Sequence, residues 1–302
     1  SAGASGGSTS TPQSAPTRTQ PTVAEASRFL QQASFGALPA DVDALASSSI
    51  DGWLEMQFAK PPTSVVEMLR PAAAANGLFS IRPQLSLALW DRLVRADDQL
   101  RQRVTFALSQ IFVVSGATSD ALVNQSILFA SYWDMLGRDA FGNYRQLLED
   151  VALHPAMGMF LSHIANTKED ATTSKLPDEN FAREIMQLFS IGLVQLDPDG
   201  TPKRDAAGKP IPTYGQDEIL GTAKVFTGWS WGGPDKSDSR FFFGQYDWFD
   251  QYVLPMQAYP KFHSTGAKRI VDGYVIPAGG SPESDLAATL DRLAAHPNVG
   301  PF

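Results

Sequence analysis

The 302-residue chain carries a net charge of −8, 43% apolar side chains and no cysteine. The acidic balance argues against nucleic acid or an anionic lipid surface as partner, since both need clustered Lys and Arg; the missing cysteine excludes disulfides, thiolate metal sites and a thiol nucleophile. The apolar content can fill a sizeable core, yet no run of about 18 apolar residues occurs, so no transmembrane span is expected.

In chain order, "SAGASGGSTSTPQSAPTRTQPT" opens the sequence with Ser, Gly, Thr and Pro. Residues 1–21 therefore read as a disordered tether with little to bury. A leader of this composition is what commonly follows the lipid-bearing cysteine of a bacterial lipoprotein, which gives an expectation of export. Residues 22–302 are expected to form a single helical domain, truncated at its C-terminal end. Thr22 and Glu25 make a capping box for a helix over 22–35, with Ala26, Phe29, Leu30 and Ala33 on one face. Short helices follow from Pro39 and over "SIDGWLEMQFAK".

Helical periodicity over 83–114, 118–136 and 143–153 predicts the core of a bundle. A helix over 177–192 follows, with Pro177 at its first position. "DPDGTPKRDAAGKPIPT", residues 197–213, holds turn signals and four prolines and reads as a surface hairpin between helices. After a helix over 216–227 comes an aromatic-rich stretch without helical period, expected to be irregular or short-stranded. A small β-hairpin over 268–276 turns at Asp272-Gly273, and Ser281 with Pro282 starts a last helix over 282–295. The fold class is all-α: a multi-helix bundle with one small β-hairpin and an irregular aromatic-rich region in its C-terminal third.

"LPDENFAREIMQLFSIG", residues 176–192, crowds charge into the start of a helix. Asp178 and Glu179 suit the positive end of the helix dipole, and Glu179 with Arg183 can pair at i,i+4. Glu184 lies among Phe181, Ile185, Leu188 and Phe189, on a face with Asn180. A carboxylate buried there needs a partner, and Arg103, Arg145 or His154 are the expected ones.

His154, before Pro155, and His263, in "KFHSTG", join Glu184 as candidate catalytic residues, because histidine serves as acid, base or ligand. His163 and His296 read as surface or capping residues. Glu184, Glu179 or Asp150 with His154 and His263 would offer ligands for Zn, Mn or Fe, but no spacing matches Glu-x-x-His or His-Glu-x-x-His. Metal and cofactor therefore stay unassigned. Serine-hydrolase, phosphate-loop and dinucleotide motifs are absent. Trp229, Trp231, Tyr246 and Trp248 are candidates to line a saccharide groove, against the alternative that these rings are buried. Asn180 and Arg183 complete the candidate binding set.

The strings "LRQRVTFALSQIFVVS", "FGNYRQLLEDVALHPAMGMFL", "PDENFAREIMQLFSIGLVQLDPDG", "AKVFTGWSW", "FHSTGAKRIVDGYVIPAG" and "HPNVGPF" together resemble the bacterial family called domain of unknown function 1800, from about Arg28 onward. The resemblance implies an exported, largely helical protein without an agreed activity, often encoded beside an exported protein of alkaline-phosphatase-like fold. That protein, or an extracellular polymer, is the implied partner. Many relatives carry Trp-His-Asn-His-Phe where this chain has "FALSQIF", so Ser109 and Ile111 stand at the paired histidine positions. The family pattern also continues past "HPNVGPF", which gives a missing C-terminal segment as a further expected partner. The expected location is periplasmic, outer-membrane-tethered or secreted. Three functions are open: a scaffold or binding protein acting on a partner protein or polymer at the envelope, a carboxylate/histidine enzyme that is metal-assisted or acid–base, and a structural subunit of an assembly.

Overall fold

The computed structural model describes residues 20–77, 81–116, 122, 125–244 and 249–302. Among them are thirteen α-helices and two two-stranded antiparallel sheets, the predominantly helical architecture the sequence predicts. Most of the tether assigned to residues 1–21 lies outside the described residues. The chain folds as two compact units that divide after Lys60.

The first unit contains α1 (Val23–Ala33), α2 (Pro39–Ala46) and α3 (Ile50–Ala59). The Thr22 hydroxyl accepts the Glu25 N–H while the Glu25 carboxylate accepts the Thr22 N–H at 2.8 Å, so the predicted capping box closes. Ala26, Leu30, Val42 and Leu45 form its small core, with Phe29 set edge-on to Trp53 at 5.2 Å. Each buried Leu or Val in such a core contributes roughly 1.5–3 kcal/mol.

The second unit begins with α4 (Val65–Asn76), α5 (Arg82–Arg95), α6 (Gln99–Ile111), α7 (Ser126–Asp139), α8 (Tyr144–Leu153) and α9 (Pro155–Phe160). Its centre is α7, where Ile127, Leu128, Ala130, Tyr132, Met135 and Leu136 are all buried, and α4, α5, α6, α8 and α9 pack around it.

The single helix predicted over 83–114 is two helices. Ala96 is extended, and the buried Asp98 carboxylate accepts the Thr63 N–H at 3.0 Å, the Thr63 hydroxyl at 2.8 Å and the Gln102 amide at 2.9 Å. An aspartate engaged this way offers the chain an alternative to continued helix. The predicted helix over 118–136 is found from Ser126; residues 117–121 and 123–124 lie outside the described residues. Helix α4 was not predicted. It carries Pro71 internally, where proline ordinarily breaks a helix, but Val65, Val66, Leu69 and Ala73 bury one face of it.

Then follow α10 (Asn180–Gln187), α11 (Gln216–Val225), α12 (Asp238–Phe243) and α13 (Pro282–Ala295). Helix α10 is shorter than predicted and starts at Asn180, not Pro177: the Asp178 side chain accepts the Asn180 N–H at 2.8 Å in an Asx turn that competes with helix at these positions. Isolated bridges Val194–Pro212, Leu196–Pro202 and Arg204–Pro210 make the predicted excursion an irregular hairpin.

Strand β1 (Trp229–Ser230) pairs with β2 (Gln257–Ala258), and β3 (Lys268–Arg269) pairs with β4 (Val275–Ile276). The turn joining β3 and β4 puts Asp272 at φ 60°, in the left-handed region. Helix α11 lies directly on β3: a Cβ at Gly221 would stand 1.6 Å from the Arg269 carbonyl oxygen, so no larger residue fits. Helix α13 packs on α8 and α11 and buries Leu286, Leu290 and Leu293.

Candidate functional site

His154 joins α8 to α9, and the Pro155 that follows it fixes the start of the second helix. Its Nδ1 accepts the Ala156 N–H at 3.1 Å, so the ring proton sits on Nε2, 3.2 Å from the Ser131 hydroxyl oxygen. Ser131 in turn donates to the Tyr252 carbonyl at 2.6 Å. The imidazole is buried against the edge of Tyr132. Burial, with the Arg138 charge adding to it, holds its pKa down to about 3. At neutral pH His154 is an uncharged hydrogen-bond donor whose other nitrogen is committed to a helix start.

Beside it opens a cleft of about 260 Å³, lined also by Arg70, Asp134, Arg138 and Asp150. Two of these are held by structure. Asp134 accepts the Ser64 hydroxyl and the Val65 and Val66 N–H groups at the start of α4, and it pairs with buried Arg92 at 2.9 Å. Arg70 pairs with Glu67 one turn away and lies over the Phe249 ring at 4.7 Å. Arg138, near the end of α7, is exposed and makes no ion pair among the described residues.

Asp139 follows it and faces Asp150 of α8. Burial first, and the Asp150 charge second, push the Asp139 carboxyl up to about 7, with Arg138 opposing. No N–H or O–H reaches Asp139 Oδ2. A proton held on Asp139 and donated toward Asp150 supplies the missing donor. The Gln146 amide holds Asp150 from the other side at 2.9 Å.

The other predicted residues stand elsewhere. His263 is fully buried in a charged cluster: its Nδ1 donates to the Thr227 carbonyl at 2.7 Å and its Nε2 lies 3.1 Å from Asp285, which Lys268 also meets at 2.7 Å. Lys268 and Asp285 are themselves 0% and 1% exposed, so the cluster is closed to any solute.

Glu184 is half-buried on α10, and its Oε2 has no hydrogen-bond partner. Of its expected partners, Arg145 pairs instead with Glu149 and Asp291, and His154 with Ser131. Arg183 pairs with Glu179 and reaches Gln216, while Asn180 is exposed at the start of α10. The cleft thus holds His154 without Glu184 or His263.

Among the aromatics, Trp229 and Trp231 are buried, 4% and 7% exposed. Tyr246 and Trp248 lie outside the described residues. His163, read from sequence as a surface or capping residue, is a core residue: it stacks on Phe181 at 3.8 Å, and burial lowers its pKa to about 4. His296 does cap, accepting the Asn298 N–H at 3.0 Å. Among the described residues, no group of three or more His, Asp and Glu side chains is arranged to hold a metal ion, and no helix is long and apolar enough to cross a membrane.

Sequence reasoning missed Ser131 and Arg138 at the cleft, and Asp139 beside it. The adjacent Arg138-Asp139 at a helix end was the available signal, but it reads as ordinary C-terminal charge.

A family model described as "Protein of unknown function (DUF1800)" matches residues 28–302. No curated protein and no solved structure matches the chain.

Proposed function

We propose, for a chain that belongs to the DUF1800 family, a scaffold or binding protein of the bacterial envelope that holds a partner protein or polymer through the His154 cleft. The observation that carries this reading is the state of the cleft's groups. His154 is neutral and committed to two hydrogen bonds, Asp134 is saturated, and Arg138 stands free at the rim. Groups of that kind bind and orient, and a histidine whose pKa is about 3 moves no proton at neutral pH.

The partner class, an exported protein of alkaline-phosphatase-like fold or an extracellular polymer, and a periplasmic, outer-membrane-tethered or secreted location belong to the same proposal. A photo-crosslinking residue in place of exposed Glu67 at the cleft wall, with Arg138 intact and the protein expressed in the native host, tests it. An adduct with one exported protein or with envelope polymer, lost when Arg138→Glu is added to the same probe-bearing chain, is expected. Recovery of the protein in the cytoplasm, or adducts that ignore the Arg138 charge, would sink the reading.

A second reading, acid–base catalysis, is favoured by the Asp139–Asp150 pair. A carboxyl that releases its proton near pH 7 suits a general acid. In that case Asp150→Asn abolishes turnover of a polymer substrate while binding survives, and the parent's rate shows a limb near pH 7.

A further inference from the structure

A second cavity, of about 400 Å³, shares no lining residue with the His154 cleft. That volume is in the range of small-ligand sites. Among the described residues no acidic side chain lines it, although the chain as a whole is acidic.

Two helices begin at its wall. Arg82 is the first residue of α5, a helix with no side-chain cap and no acidic residue in its first turn. A cation at that end works against the helix dipole, and Arg82 has no ion-pair partner among the described residues. Ser126 is the first residue of α7, a fourteen-residue helix that likewise lacks a side-chain cap and a first-turn acid. Ser126 is 2% exposed, lies in the cavity wall, and its hydroxyl has no hydrogen-bond partner among the described residues. Two positive helix ends, an uncompensated guanidinium and an orphaned hydroxyl thus meet around one space. The charge missing from it is negative.

What else the ligand carries follows from the rest of the wall. Phe129 and Trp133 continue the Ser126 stripe along α7, at i+3 and i+7, with rings 6.5 Å apart. At a rise of about 1.5 Å per residue, Ser126 and Trp133 are separated by about 10 Å, the span of one six-membered ring with a carboxylate attached. Ser109 and Gln110 of α6 add a hydroxyl and an amide to the same lining. Aromatic faces with neutral hydrogen-bonding groups suit a hydroxylated ring.

We infer that this cavity binds an acidic sugar unit of the uronate type. Its carboxylate sits at the start of α7 against Ser126 and Arg82, its ring against Phe129 and Trp133, and its hydroxyls on Ser109 and Gln110. The inference does not depend on the His154 cleft, so either can fail alone.

The test is calorimetric titration of the full chain with glucuronate, and separately with glucose and with acetate. Glucuronate is expected to bind at least about tenfold more tightly than either, with affinity that falls as salt rises. Arg82→Ala, at an exposed position, should weaken glucuronate about tenfold and leave the circular dichroism spectrum unchanged; Ser109→Ala should weaken it less. Equal binding of acetate and glucuronate makes this an anion site only and overturns the sugar assignment. Equal binding of glucose and glucuronate overturns the charge assignment. Absence of glucuronate binding at millimolar concentration, or parent-like binding by Arg82→Ala, overturns the whole.

Discussion

The buried cluster of His263, Lys268 and Asp285 and the cleft of His154 and Asp150, with Asp139 facing Asp150 from outside its lining, hold similar residue types under opposite rules. In the cluster, opposite charges meet with almost no exposure, and Lys268 also donates to the Gly266 carbonyl at 3.1 Å. At the cleft, two like-charged carboxyls face each other beside solvent, and the histidine has given up its charge. Complete pairing in a closed space is what a fold needs from buried charge. An unresolved repulsion at an accessible surface is costly to hold, and such sites are where function concentrates. Residue type alone therefore said little; the sign and exposure of each neighbour decided the role.

The sharpest way to break the comparison is to unpair the closed cluster. Asp285→Ala leaves the Lys268 ammonium buried without a counterion and should cost about 3–5 kcal/mol. A fall in melting temperature of roughly 10 °C or more follows for a unit of this size. A variant that melts within about 2 °C of the parent would show that water reaches the cluster.

The open pair should answer with the reverse sign. Asp139 titrates in the native state near 7, above the ordinary carboxylate value. Between about pH 4 and 7 the native chain keeps a proton that the unfolded chain has lost, so this carboxyl's contribution declines as pH rises. Asp139→Asn should therefore stabilise the protein at pH 8, by about 1–2 kcal/mol once solvent screening of a half-exposed pair is allowed for. Near pH 4 it should change little. Denaturant melts at the two pH values check this, and equal effects at both would remove the proton held on Asp139.

His154 and His163 act in the other direction. Their native pKa values, about 3 and about 4, lie below that of a free histidine. Stability that is full above about pH 6.5 is lost as pH falls toward 4, because the unfolded chain takes up protons that the native core refuses. In Asp139→Asn, where the opposing carboxyl is gone, the rise in stability from pH 4 to 6.5 should be steeper than in the parent.

Smaller effects are expected on α10. Glu184 has no ion pair among the described residues, so Glu184→Gln should cost under about 1 kcal/mol rather than the several expected of a paired buried carboxylate. A larger loss would reveal a partner. Glu179→Ala removes a partly exposed i,i+4 pair with Arg183 and an exposed contact with the Gln216 amide, and should cost under about 1 kcal/mol.

These sites differ in how far the sequence foretold them. The Thr22–Glu25 box, the hairpin turn at Asp272 and the helices over 143–153, 216–227 and 282–295 depend on neighbours within a few positions, so local pattern sufficed. The break between α5 and α6 depends on Thr63 meeting Asp98 thirty-five positions away, which no local period records. The capping role of His154 could be inferred from Pro155 after it, but its Ser131 contact spans 23 positions. Glu184 was placed near the core by its apolar neighbours, yet the position of its carboxylate is set by helix rotation. The length and start of α10 moved with Asp178 closing an Asx turn on Asn180.

The contact of α11 on β3 through Gly221 sits beside Lys268, and that proximity bears on the order in which the chain is made. Synthesis delivers His263 and Lys268 before Asp285, which lies in the first turn of α13. Until that turn is in place, closing β3 onto the Gly221 face would strip water from an ammonium with no carboxylate to receive it, so docking of the hairpin on α11 and docking of α13 are coupled through one ion pair.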